Sequence, residues 1–227
     1  MFLCYNPQMI KISPSILAAD FSKLGSEIES VKNADYVHFD VMDGIFVQNI
    51  SFGFPVLESV RAITDKILDV HLMIESPSRY ISRFVDAGGD IITFHVEAES
   101  PDMICEVLSN IQKRGKKAGL SLKPETPSSV VFPFIEILDM VLVMTVEPGY
   151  GGQDFIPEML PKITQLRNFI DKNKPQCELE VDGGINLETA KQCVNAGATV
   201  LVAGIDVFNT TNRTVHIEQL RNLQRSL

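Results

Sequence analysis

The sequence predicts an α/β protein, a closed (β/α)8 barrel of the TIM-barrel type. Short β-branched runs alternate with longer stretches of helical period. Roughly eight such alternations are legible by pattern, and the 227-residue length matches a small barrel. Polar residues also gather toward the ends of the apolar runs, where this architecture places its chemistry. No Ser/Gly/Pro-rich linker or low-complexity tract divides the chain. One domain is therefore expected over residues 1–227, with residues 1–9 as a short N-terminal extension.

The expected strands are residues 11–17, 36–41, 67–73, 91–96, 118–122, 140–145, 178–181 and 199–203. Between them, residues 21–33 carry a helical pattern with Asp20 as N-cap, and residues 78–87 one bounded by Pro77 and Gly88. Further helical patterns cover residues 101–113, 158–172, 187–196 and 212–223.

Composition narrows the function. With 45% hydrophobic and 22% charged residues, the chain has material for one sizeable core, and disorder is excluded as its main state. Twenty Lys and Arg against 29 Asp and Glu leave a formal charge of −9, so nucleic acid and anionic membrane are excluded as partners. A small anion remains compatible, because backbone amides bind it without net positive charge. The four cysteines, Cys4, Cys105, Cys177 and Cys193, are widely spaced without a C-x-x-C pair and read as reduced thiols. The N-terminal residues do not form a secretory signal. The longest apolar run, residues 137–146, is interrupted by Asp139 and falls short of the ~20 residues that span a bilayer. A cytoplasmic location is expected.

Period-two alternation turns His38, Asp40 and Met42 toward one face and Val37, Phe39 and Val41 toward the other. Asp69, His71 and Met73 repeat the device, as do Glu180 and Asp182. A lone H-x-D on a strand is ordinarily a hydrogen-bonded core pair. Three strands ending this way favour a metal centre instead, because inward carboxylates and imidazoles need a partner that offsets their desolvation. His38, Asp40, His71 and Asp182 suit one borderline divalent ion. Zn²⁺, Mn²⁺, Fe²⁺ and Co²⁺ all satisfy those donors, and the sequence does not choose among them. His95 and Glu97 are assigned to the support of the ligands, and His216 to the surface.

Glycine-rich stretches follow the late strands: Gly149-Tyr150-Gly151-Gly152, Gly183-Gly184, and Gly204 before Ile205. Glycines let successive N–H groups approach a phosphate, and (β/α)8 enzymes commonly hold substrate phosphate after their last strands. The stretch GGQDF lacks the G-K-[ST] ending of a Walker loop. Met42, Met73 and Met144 end three strands, and read alone they are adaptable core filler.

SPSILAADFSKLG at 13–25, HFDVMDGIFVQNISFG at 38–53, DVHLMI at 69–74, FHVEA at 94–98, VMTVEPGYGGQDFIP at 143–157 and EVDGGI at 180–185 together resemble the ribulose-phosphate 3-epimerase family over nearly the whole chain. The resemblance implies a ribulose-phosphate-binding barrel that interconverts D-ribulose 5-phosphate and D-xylulose 5-phosphate in the pentose phosphate pathway. It implies one divalent ion per subunit on His38, Asp40, His71 and Asp182, with Asp40 and Asp182 as the acid/base pair. It implies substrate contacts from Ser15, His71, Met42, Met73 and Met144. The phosphate would lie against Gly149, Tyr150, Gly151, Gly152, Gly183, Gly184, Gly204 and Ile205, and the protein would be a homo-oligomer.

Two residues depart from the family pattern: Gln48 replaces a usual proline, and Ile205 a usual small hydroxyl residue. An epimerase of a ketohexose 6-phosphate such as D-allulose 6-phosphate is the alternative, and a non-catalytic phosphate-sensing barrel the alternative of another class. A hydrolytic metal barrel is disfavoured, because Ser13-Pro14-Ser15 stands where its first strand would carry H-x-H.

Overall fold

The computed structural model describes residues 9–224. Cys4 and the expected N-terminal extension, apart from Met9, lie outside the described residues. The strands are β1 (Lys11–Ser13), β2 (Tyr36–Met42), β3 (Ile67–Met73), β4 (Ile91–His95), β5 (Lys117–Leu122), β6 (Met140–Met144), β7 (Glu178–Asp182) and β8 (Val200–Val202). All pair in parallel, in the order β1-β8-β7-β6-β5-β4-β3-β2. The ring closes between β1 and β2, where Asp35 N–H donates to Ile12 O at 3.0 Å and His38 N–H to Pro14 O at 2.9 Å. Ser15 forms an isolated parallel bridge to His38 at the same seam.

The first strand is shorter than expected. Pro14 has no N–H to donate, so the ladder stops at Ser13. Residues Ile16–Ala18 form a 3-10 turn whose cap, Ser15, accepts from Leu17 N–H.

The helices are α1 (Leu24–Ser30), α2 (Phe54–Arg61), α3 (Ile81–Asp86), α4 (Pro101–Lys113), α5 (Leu160–Asn173), α6 (Leu187–Ala196), α7 (Ile205–Phe208) and α8 (Arg213–Arg221). In α4, Ser100 caps the first turn, Pro101 occupies a position that needs no donor, and Lys113 sits in the last turn. Its buried stripe, Ile104, Val107, Leu108 and Ile111, has the spacing of one helix face. In α6, Asn186 and Thr189 form a reciprocal capping box, and Gly197 ends the helix at φ 116°.

The expected helix at 21–33 begins as a 3-10 turn, Phe21–Lys23, capped by Asp20, before α1 takes over. Two helices were not expected: α2, which has no side-chain cap, and the four-residue α7. Between β5 and β6 an extended 3-10 run, Ser128–Ile137, replaces an α-helix, with Pro133 inside it removing a donor.

The principal core lies between the strands and the helices. Outward residues such as Val37, Phe39, Leu68, Val70, Leu72, Phe94, Leu120, Val141 and Leu179 are fully or almost fully buried there. Each contributes on the order of 2 kcal/mol by leaving water. Inside the ring, Tyr36, Ile91, Met140 and Val200 form an apolar layer near the N-terminal end. Lys11, Glu178 and the Tyr36 hydroxyl close that end in one hydrogen-bonded group. Above the apolar layer the interior turns polar, with Ser13, His38, Asp69, Thr93 and Glu180 all at 0% exposure.

Gly119 faces this interior opposite Thr93. A Cβ at Gly119 would lie 2.3 Å from Thr93 Oγ1. Gly119→Ala is expected to destabilise by about 1–3 kcal/mol, a fall in Tm of roughly 2–12 °C for a domain of this size. Calorimetry checks it, and a change within 1 °C would contradict the close packing of β4 on β5.

Candidate metal and active centre

Inward positions of neighbouring strands are brought level by the register of the sheet. His38 is paired with Asp69, Asp40 with His71, and Met42 with Met73. Met144 is paired with Asp182 on the other side of the barrel. Side chains from β2, β3 and β7 therefore converge at the C-terminal mouth.

Four donor atoms, one each from His38, Asp40, His71 and Asp182, lie within 4.8 Å of one another. Asp40 Oδ1 is 3.3 Å from both His38 Nε2 and His71 Nδ1, and His71 Nδ1 is 3.8 Å from Asp182 Oδ2. Tetrahedral ligands held at zinc-like bond lengths stand about 3.3–3.6 Å apart, so these donors are close to the spacing of a coordination shell. His38 Nε2 is buried and has no hydrogen-bond partner. A buried nitrogen left open toward three other donors fits a cation.

The other nitrogen of each imidazole is occupied. His38 Nδ1 meets Asp69 Oδ2 at 2.7 Å, and Ser13 Oγ donates to the same oxygen at 3.0 Å. His71 Nε2 meets His95 Nε2 at 3.0 Å, and His95 Nδ1 meets Glu97 Oε2 at 3.1 Å. Ser15 Oγ donates to Asp40 Oδ2. Below the cluster, both oxygens of Glu180 lack a donor.

Electrostatics divides these groups. Burial pushes the Asp40 carboxyl upward, but His38 and His71 outweigh it and hold Asp40 well below the usual carboxylate range. Burial and the charge on Asp40 push Asp182 the other way, up to about 8. For His38, burial is outweighed by Asp69 and Asp40, so its imidazole binds a proton more firmly than usual. Burial dominates at His71, which is lowered, and at His95, which is held down to about 4. Burial would raise Glu97, yet His95 and the donors around it bring its carboxyl down to about 2. Glu180 is raised by burial and by Asp69, and as a neutral acid it adds no second charge beside that carboxylate.

A cavity of about 290 Å³ opens above the cluster. Ser15, Asp40, Met42, Met73, Met144 and Asp182 line its floor, and Gly149, Tyr150, Gly151, Gly152, Gly183, Gly184, Gly204 and Ile205 its walls. His38 and His71 lie beneath that surface at 0% exposure. No Lys or Arg is among the described lining residues, so backbone amides must supply positive potential to any anion bound there.

The glycines permit that approach. Gly183 and Gly184 adopt φ of 118° and 64°, and a Cβ would lie 2.4 Å from Val146 Cγ2 and 2.6 Å from Phe155 N respectively. Thr145 Oγ1 donates to Gly183 O at 2.6 Å and ties the two loops together.

Several lining residues escaped the sequence reading, among them Leu17, Ala18, Glu147, Gln153 and Asp206. Asp69 and Glu180 carried the signal of inward alternation but were given no role. His216 is not the surface residue expected, because its ring is 13% exposed and it pairs with Asp206. Cys105, Cys177 and Cys193 are free thiols, and burial pushes the latter two up to about 12. Among the described residues no helix is long and apolar enough to cross a membrane.

Fold and site together define a (β/α)8-barrel enzyme with a candidate divalent-cation centre at its C-terminal mouth. A model of the ribulose-phosphate 3 epimerase family matches residues 11–208. The chain belongs to that family. Ribulose-phosphate 3-epimerase of Bacillus subtilis (strain 168) is 48% identical over 216 residues, covering 94% of this chain and 99% of that protein. The Synechocystis protein of the same name is 45% identical over 218 residues, covering 95% of each. Among solved structures, 3-keto-L-gulonate-6-phosphate decarboxylase from Vibrio cholerae shares the fold at 14% identity. Its TM-score is 0.72, with 96% of this chain and 97% of that one covered.

Cation uptake must displace the proton that His38, whose Nε2 would be the ligating nitrogen, holds more firmly than an ordinary imidazole does. Affinity for a divalent ion is therefore expected to rise with pH through neutrality. Titration calorimetry at pH 7 in two buffers of different ionisation enthalpy should show net proton release. Equal heats in the two buffers would contradict this.

Proposed function

We propose that this protein interconverts D-ribulose 5-phosphate and D-xylulose 5-phosphate by inverting C3, with Asp40 and Asp182 as the two acid/base groups. The observation that carries this reading is a pair of carboxyls, Asp40 from β2 and Asp182 from β7, lining one cavity beside one donor cluster, with Asp40 biased toward the charged form and Asp182 toward the protonated one. Epimerisation beside a ketone needs one group to remove a proton from one face and another to return one to the opposite face. The names and extents of the relatives support the substrate.

His38, Asp40, His71 and Asp182 would hold one divalent ion, with Zn²⁺ the first choice. When bound, that ion supplies Lewis-acid stabilisation of negative charge on the substrate oxygens, worth several kcal/mol on general grounds. Asp40 takes the C3 proton as the C–H electron pair moves into a C2–C3 double bond and charge passes to the carbonyl oxygen. Asp182 then delivers its proton to C3 from the other face, and the reverse reaction exchanges the roles. Ser15 keeps one Asp40 oxygen hydrogen-bonded and so orients the other. Met42, Met73 and Met144 cover the reacting carbon with polarizable, water-excluding surface. The phosphate would rest on the backbone of the loops at Gly149–Gly152, Gly183–Gly184 and Gly204–Ile205, with Tyr150 at the rim.

The same reading takes residues 1–227 as one barrel domain, and the family match over 11–208 supports it. It also places the protein in the cytoplasm as a homo-oligomer. A rice relative, 42% identical over 216 residues, is named a cytoplasmic isoform.

Asp40→Asn and Asp182→Asn are each expected to lower turnover of D-ribulose 5-phosphate by at least about 10²-fold, with the barrel still folded by circular dichroism. Exchange of the C3 proton with deuterated water, followed by NMR, reads the step directly. Wild-type protein loaded with a divalent ion yet exchanging no C3 proton would sink the assignment. Substantial activity in either variant would remove that residue from it.

A further inference from the structure

Two faces of the cluster are backed differently, and the difference assigns work to residues outside the cavity. His38 leans directly on a carboxylate, Asp69, whereas His71 leans on a second imidazole. Two imidazole nitrogens 3.0 Å apart form a hydrogen bond only if one carries hydrogen and the other does not. His71 Nδ1 faces Asp40 and Asp182, so a ligating Nδ1 leaves the ring hydrogen on Nε2. His95 Nε2 must then accept, which places the His95 hydrogen on Nδ1, the nitrogen 3.1 Å from Glu97 Oε2.

Glu97 is fixed for that task from its other end. Its Oε1 accepts from Lys123 N–H at 2.9 Å and from Thr126 Oγ1, so Oε2 is left to face His95. Phe46 packs on the outer side of the His95 ring, with centroids 4.9 Å apart. One hydrogen arrangement satisfies the whole chain: His71 donates to His95, and His95 donates to Glu97. Glu97 is the only member at the rim, its side chain 22% exposed.

We propose that Glu97, acting through His95, sets the tautomer of His71 and thereby the affinity of the cluster for a divalent ion. This rests on the reading of His71 as a ligand given above. Both are positioning residues, since neither is among the residues lining the cavity.

Glu97→Gln is the discriminating change. Its carbonyl must serve the two donors of residues 123 and 126, so its NH2 turns toward His95 Nδ1. His95 is then forced to carry hydrogen on Nε2, against the Nε2 hydrogen of His71. Loss of such a support behind a metal-binding histidine typically weakens metal affinity about 10–100-fold.

The test is equilibrium titration of chelator-stripped protein with Co²⁺, read by its visible absorption and by chelator competition. E97Q is expected to raise the Co²⁺ Kd about tenfold or more. His95→Leu, which removes the acceptor, should do the same. His95→Gln should stay within about twofold of wild type, because its carboxamide oxygen accepts from His71 without help from Glu97. Adding E97Q to H95Q should then change little.

The proposal is overturned if E97Q and H95L both stay within twofold of wild type. It is equally overturned if E97Q weakens Co²⁺ as much in the H95Q background as alone, since Glu97 would then act by shaping the 123–126 loop. Wild-type protein that takes up no Co²⁺ overturns the ligand reading itself, and this one with it.

Discussion

Desolvation governs this molecule. The ring interior, ordinarily filled by branched apolar side chains, here holds His38, His71, His95, Asp40, Asp69 and Glu180 almost out of reach of water. A lone ion in such a place costs several kcal/mol even after relaxation. The charged groups persist because they are paired, Asp69 with His38 and Ser13, and Asp40 with the two imidazoles and Ser15, while Glu180, whose oxygens lack a donor, is biased toward its neutral form. What the pairing leaves over is a set of donor atoms aimed at one point and two carboxyls of unlike protonation. The proposed chemistry uses that remainder.

The same constraint shapes the mouth of the barrel. A chain of formal charge −9 attracts anions poorly, and its cavity carries Glu147 and Asp206 rather than lysine or arginine. In the proposed reaction, recognition of the sugar phosphate would fall to peptide dipoles, which add no titrating charge next to the proposed acid/base pair. In the loop after β7 the fold itself demands glycine: a side chain at Gly183 or Gly184 would collide with Val146 or Phe155 before any ligand arrived. Ile205, at the mouth and 45% exposed, brings no hydroxyl to this task.

Much of the architecture was legible because its signals are local. β3 and the helices α4 and α6 have the bounds read from the sequence, since alternation, a capping serine or asparagine, and a closing glycine are all properties of short windows. Period two likewise turned His38, Asp40, His71 and Asp182 inward, where the sheet register brings them together, and the residue-by-residue likeness supplied the proposed acid/base pairing. Features that depend on distant partners were not legible. α2 has no side-chain cap to announce it, and β1 ends at Ser13 because a ladder that Pro14 cannot continue matters only once β8 lies alongside. His216 met Asp206 only through the packing of α8 on α7. The tie between His71 and His95 depends on β3 lying beside β4, so no pattern within either strand displays it.

The seam between β1 and β2 has a consequence for biosynthesis. Three of the four converging donors, those of His38, Asp40 and His71, are carried by adjacent strands that leave the ribosome early. Asp182 follows much later, and β1 waits longer still for β8, its neighbour in the finished ring. A nascent polypeptide therefore lacks the fourth donor until β7 has been made, and cannot complete the ring until β8 follows.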